Sequence, residues 1–275
     1  MKKIASAPYL LWMAIFIIVP LLMVAYFAFT NGAGEFTLAN ITKTSEYIPI
    51  FTKSIILAAI ATAICLIIAY PLAYILANMN MSTQSTMLMI IILPMWMNLL
   101  LRTYAWQTLL GNNGLINNTL GLIGLGPYKL LNTQGAVVLG MVYDLLPFMV
   151  LPLYTVMSKM DKSILEAAAD LGCNKLQSIL KVTVPLSVPG IISGITMVFI
   201  PAISTFIISR MLGGSSNLLI GDLIEMQFLG NSYNPNLGAG ISLVLMVIVL
   251  IVMAVISLID KPEQEDDDLK GARLR

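Results

Sequence analysis

The chain contains no histidine among its 275 residues. Imidazole metal sites, haem ligation through His and catalytic triads with a His base are therefore excluded. Cysteine is nearly absent too: Cys65 stands in an apolar run, Cys173 in a polar loop, and no CxxC occurs. A disulfide framework or thiolate zinc site is not expected from such a pair. Charge is sparse at 11% of residues, against about 25% in a soluble domain. A net charge of +1 gives no electrostatic footprint for nucleic acid. The phosphate-cradling pattern G-x-x-x-x-G-K-[ST] is missing, so the chain has no ATP site of that kind. Any ATP-driven work must draw its energy from another subunit.

What remains is apolar, 58% of the chain, and that excess points to the lipid bilayer as solvent. Crossing the hydrocarbon core takes about 20 apolar residues. The segments 9–30, 54–77, 87–110, 134–157, 186–210 and 237–259 meet this length. The polar island Asn78–Thr86 divides the second from the third. The first run is longer than a signal-peptide core and no A-x-A site follows it, so it reads as an uncleaved span. The expected fold is all-α and integral to the membrane, with six transmembrane helices in one transmembrane domain over 1–262 and a charged tail over 263–275.

Orientation follows from Lys and Arg in the loops. With the N-terminus inside, ten of the 15 Lys and Arg residues fall in inside segments. Lys43 and Lys129 fall outside, Lys53 and Arg210 at membrane edges, and Arg102 within a span. Both termini are expected in the cytoplasm. The acidic run Glu263–Asp268 does not oppose this, because acidic residues contribute little to the rule. It reads as a solvated tail.

The only long inside connection is 158–185. Ser163 and Glu166 have the spacing of a capping box, and Ala167, Ala168 and Ala169 favour helix. Gly172 stands where a left-handed C-terminal cap is wanted. Asn174 is placed to cap a second helix, with Leu176, Ile179, Leu180 and Thr183 on one face. Pro185 ends it. Two short helices around a glycine turn are expected at the inner surface.

This loop reads Glu166-Ala167-Ala168, three residues, Gly172, nine residues, Val182, one residue, Val184-Pro185. It resembles the EAA signature of binding-protein-dependent ABC importer permeases, with Val182 and Val184 in place of Ile and Leu. The segments Leu93–Asn98 with Leu101–Tyr104, Leu146–Tyr154, and Gly213-Gly214 with Asn217–Gly221 resemble the first permease subunit of spermidine/putrescine uptake systems. The resemblance implies a type I importer permease fold in a bacterial plasma (inner) membrane, working by alternating access. It implies an ATP-binding subunit in two copies, which uses ATP and Mg, and a second, similar permease. A polyamine-binding protein outside the membrane is implied as well. No cofactor is expected in this chain itself. Glu166, Ala167, Ala168, Gly172, Val182 and Pro185 would couple it to the ATPase.

A polyamine path needs carboxylates or aromatic faces at intervals, so that no ammonium is stranded without water. Asp144 is the one carboxylate well inside a span, and a buried ionisable residue there points to function. It is a pathway candidate, or else the partner of Arg102 across helices. Arg102 itself has two further readings, snorkelling to the outer surface or acting in a gate. Around 213–229, Asp222 and Glu225 gather on one side of a short helix, placed to meet an entering cation or to lie solvated at the surface. Trp96, Tyr143 and Tyr154 offer cation–π faces or pack against lipid. Pro185, Pro189, Gly190, Gly194 and Pro201 are flexing points or packing devices.

Three other readings remain. Importers of sulfate, molybdate, thiamine or iron would share the EAA loop. An intramembrane enzyme would need a second buried carboxylate beside Asp144. A secondary transporter would have no use for a coupling loop.

Overall fold

The computed structural model describes residues 7–230 and 232–259. The acidic tail and the terminal lysines and arginines used for orientation lie outside the described residues. The described chain is helical, apart from an isolated bridge between Thr30 and Phe36. In order the helices are α1 (Ala7–Met13), α2 (Val19–Ala28), α3 (Ala39–Lys43), α4 (Ile48–Ala77), α5 (Met81–Ile92), α6 (Leu99–Leu110) and α7 (Leu115–Leu122). They continue as α8 (Gln134–Met157), α9 (Lys162–Asp170), α10 (Lys175–Ser178), α11 (Val184–Leu186), α12 (Val188–Ser204), α13 (Ile220–Leu229) and α14 (Pro235–Ile259). A π-helical turn, Ala14–Ile18, joins α1 to α2.

Among the described residues, four helical stretches are long and apolar enough to cross a membrane: Leu11–Ala28, Ala39–Ala77, Gln134–Met157 and Pro235–Leu258. Two bent pairs raise the number to as many as six: Met81–Trp96 with Leu99–Leu122, bent by 90°, and Lys175–Leu186 with Val188–Ser204, bent by 69°. The sequence suggests an unbroken helix over 87–110, and the structure breaks it at Met97-Asn98. Pro94 sits in a tight turn over Leu93–Trp96, and Met97 takes an extended backbone. The Asn98 side chain then accepts the Leu100 N–H at 2.8 Å and starts α6 afresh. At the second bend, Ser187 lies between Pro185 and Pro189 and donates its hydroxyl to the Val184 carbonyl at 3.0 Å.

The chain divides into two compact units. The first holds the residues up to Leu57 with Trp106–Val137 and Ile203–Leu250. Here two amides close the end of α2. Asn40 Nδ2 donates to the Thr30 carbonyl at 2.8 Å and the Ala28 carbonyl at 3.2 Å. Asn236 Nδ2 donates to the Thr30 and Phe27 carbonyls at 2.8 and 3.2 Å. These are carbonyls that a helix end leaves without an intrahelical partner.

The second unit holds Ala58–Ala105, Val138–Ala202 and the residues from Ile251. Its core follows from residue size. Ala58, Ala61, Cys65, Ala69 and Ala73 recur at helical spacing on α4 and are all fully buried. Small side chains let helices approach closely where lipid supplies no hydrophobic drive between them. The Cys65 thiol accordingly reaches the Val142 carbonyl of α8 at 3.8 Å. The opposite face of α4 carries exposed Ile60, Ile67, Ile68 and Ile75, suited to lipid. Gly194 of α12 makes a second close approach, since a Cβ there would lie 2.5 Å from Met149 Sδ.

Candidate functional site

The loop 158–185 is two helices around a turn. Helix α9 starts two residues earlier than Ser163 would place it: Asp161 is the cap, and its carboxylate accepts the Ser163 N–H at 2.9 Å. That backbone hydrogen bond, with one from the Ser163 side chain, holds the Asp161 carboxyl below the ordinary carboxylate range. The cap is thus present at neutral pH and is lost only as pH falls through that lowered range. At the other end Gly172 has φ +84°. The Gly172 N–H donates to the Ala169 carbonyl at 2.9 Å, and the Cys173 N–H to that of Ala168 at 3.1 Å. Helix α10 opens with a reciprocal capping box, Asn174 accepting from Gln177 N–H at 2.9 Å and Gln177 accepting from Asn174 N–H at 3.0 Å.

One side of this hairpin is anchored on its own unit. Ala168 and Thr183 are buried, and Leu165 and Thr183 line a cavity of about 30 Å³ with Tyr74, Asn78, Met157 and Met160. The other side faces solvent. Leu171 is 87% exposed and Leu176 65%, with Glu166, Ala167, Gly172 and Pro185 exposed beside them and Val182 half-buried.

Gly172 also allows a backbone test. A Cβ there meets nothing within 4 Å, so only the left-handed conformation opposes a side chain. Gly172→Ala is expected to destabilise the turn by about 1–2 kcal/mol. The check is faster protease cleavage near Gly172 in membrane vesicles, with Gly172→Asn less affected.

Two intramembrane charges meet in the second unit. Arg102 Nη2 lies 2.7 Å from Asp144 Oδ1, with the side chains 9% and 16% exposed. Of the placements open to Arg102, the structure thus shows the ion pair. The approach is close but badly aligned: Oδ1 is buried without a hydrogen bond, as are Arg102 Nε and Nη1. Tyr143, next to Asp144, is 37% exposed. Trp96 is 81% exposed and borders an apolar groove of about 360 Å³ with Ser85, Leu88, Met89, Ile92 and Leu93.

In the first unit the acidic helix differs from expectation. Asp222 should stand toward an entering cation, yet it is 1% exposed. Its Oδ2 accepts the Ser209 hydroxyl at 2.6 Å and the Leu219 N–H at 2.9 Å. The carboxylate is turned inward because it closes the first turn of α13. Glu225 is instead taken by Arg210, Nη1 to Oε1 at 3.0 Å. Around them the Gly213–Gly221 segment is tied down. Asn217 Nδ2 donates to the Gly213 and Asn132 carbonyls at 2.9 and 3.1 Å. Lys53 Nζ donates to Asn217 Oδ1 at 2.9 Å, and the Ile220 N–H to Ser54 Oγ at 2.8 Å. Nothing in the local sequence marks Lys53, Ser54 and Ser209 as part of this site. Their partners are distant in the chain, which no local pattern signals.

A multi-span helical protein with a capped hairpin between its helices has the build of a membrane permease. The comparisons with known proteins identify it further. Residues 2–261 match the family described as binding-protein-dependent transport system inner membrane component, and the chain belongs to that family. It is a transmembrane permease subunit of an ABC importer, without an ATPase domain of its own, and a multi-pass protein of the bacterial inner membrane. It works with an ATPase and a substrate-binding protein. The spermidine/putrescine transport system permease protein PotB of Escherichia coli (strain K12) is 37% identical over 254 residues, covering 89% of this chain and 92% of the relative. PotB of Haemophilus influenzae (strain ATCC 51907 / DSM 11121 / KW20 / Rd) is 36% identical over 264 residues, 92% of each chain. Among solved structures, a bacterial ABC transporter involved in the import of the acidic polysaccharide alginate superposes with a TM-score of 0.80 at 15% identity over 94% of each chain. The fold is that of a type I importer permease.

Proposed function

We propose that this permease carries polyamines, spermidine and putrescine, into the cytoplasm. The observation that carries the reading is the 37% identity to the Escherichia coli spermidine/putrescine permease over 89% of this chain. The assembly has two copies of the ATP-binding subunit, which hydrolyse ATP with Mg, and a second, similar permease. A polyamine-binding protein delivers the substrate from outside, and both termini lie in the cytoplasm.

The hairpin of Glu166, Ala167, Ala168, Gly172, Val182 and Pro185 docks on the ATPase. Closure of the ATPases on ATP moves the hairpin, and the spans open outward. Hydrolysis returns them to the inward-facing state. Along the path, Asp144 and Glu225 supply carboxylates for substrate ammonium groups. Tyr143 and Trp96 supply aromatic faces. Asp222 contributes by holding the segment that carries Glu225.

Uptake of labelled spermidine and putrescine by native cells with and without the gene tests this reading. Uptake is expected to fall on deletion and return with the gene. Unchanged uptake, in a strain with no second polyamine importer, would overturn the substrate while leaving the permease class intact.

A further inference from the structure

We infer that Arg102 is the resident cation of Asp144: in the empty permease its guanidinium occupies the place that a substrate ammonium takes during transport. The inference rests on the polyamine reading above and assigns a substrate-exchange role to a residue outside that path.

A bare carboxylate is expensive inside a membrane, so an unloaded path must keep Asp144 neutralised. Arg102 does so, but in an unfinished way. A lasting arginine–carboxylate pair is bidentate, with two parallel hydrogen bonds. Here a single nitrogen approaches, at 2.7 Å, and Asp144 Oδ1 lacks an aligned donor. Arg102 Nε and Nη1 are also buried with no acceptor. Orphaned donors of this kind oppose the arrangement, so the pair is held by charge alone. An ammonium is a compact point charge with three donors. It can align on a carboxylate where this guanidinium does not. Asp144 is the more exposed member of the pair, 16% against 9%, and so the more approachable. Exchange also keeps the charge balance: one cation leaves the carboxylate as another arrives.

The test uses the assembled complex of permeases and ATPase, purified without the binding protein, because that protein would otherwise set the apparent affinity. Spermidine is titrated at fixed salt and the thermal midpoint is followed, since a ligand that binds the folded state raises it. Arg102→Gln unmasks Asp144 and is expected to lower the half-saturating spermidine concentration by about tenfold, equivalent to about 1.4 kcal/mol. Asp144→Asn is expected to abolish the saturable response, and Asp144→Glu to keep it. If Arg102→Gln and Asp144→Asn only lower the midpoint, with the spermidine response unchanged, the pair is a structural clasp and the inference fails. Should Arg102→Gln not assemble, a saturable response that survives in Asp144→Asn overturns it equally. Failure of the polyamine reading is separate: it shows as wild-type cells that take up neither polyamine through this importer.

Discussion

Replacing Leu171 and Leu176 together by Asp is expected to abolish uptake and to strip the ATP-binding subunit from the purified permease, while the helix bundle stays folded. Both side chains project from the hairpin into solvent, 87% and 65% exposed, so a charge there is hydrated in the isolated subunit. Docking would bury that charge without a partner, which is among the costliest changes an interface can suffer. Apolar anchors at the centre of an interface are each worth about 2 kcal/mol or more. Losing two predicts at least about a thousandfold drop in association, at about 1.4 kcal/mol per tenfold. The check is co-purification of the ATPase on a tagged permease, with thermal unfolding of the permease as the control. Normal co-purification would remove this face from the docking surface. Ala168→Leu gives the contrasting outcome. Ala168 is buried under the hairpin, so its enlargement should lower the amount of folded permease rather than selectively detach the ATPase.

The hairpin was also the most legible part of the sequence, because its determinants are local. The left-handed turn at Gly172 and the cap at Asn174 follow from residues within four positions of each other. Asp161 is hidden as the cap in the sequence because Ser163 and Glu166 offer the same chemistry two residues later. Long apolar runs revealed the spans, but apolarity says nothing of where a span bends. The break at Met97-Asn98 depends on Pro94 and on one hydrogen bond that the Leu100 N–H donates to Asn98 Oδ1. The Arg102–Asp144 pair was open from sequence since few charges sit within spans. Asp222 is harder: its bond to the Leu219 N–H is local, but its second partner, Ser209, lies thirteen residues away, and periodicity along α13 carries no trace of it.

Asp222 yields the second large effect, and its direction separates two roles for one carboxyl group. Asp222→Ala is expected to cost several kcal/mol and most of the transport activity, whereas Asp222→Asn should keep activity within about twofold of wild type. The Ser209 hydroxyl has one proton but two acceptors within reach, Asp222 Oδ2 at 2.6 Å and the Phe206 carbonyl at 3.0 Å. A neutral group satisfies the same contacts, because the single oxygen Oδ2 accepts both the Ser209 hydroxyl and the Leu219 N–H. Burial favours neutrality there, since Asp222 Oδ1 has no partner and a neutral group bears that more cheaply than a charged oxygen. An asparagine keeps both contacts through its amide oxygen in the place of Oδ2. Alanine leaves the Leu219 N–H and the Ser209 hydroxyl short of partners, at about 1–3 kcal/mol for each unsatisfied group. It also frees the segment that carries Glu225 and its ion pair with Arg210. Polyamine uptake and the thermal midpoint of both variants decide the matter. Equal loss in Asp222→Asn and Asp222→Ala would mean that the negative charge itself is used, and would return Asp222 to the cation path as a direct contact. Retention by asparagine alone makes it a neutral brace.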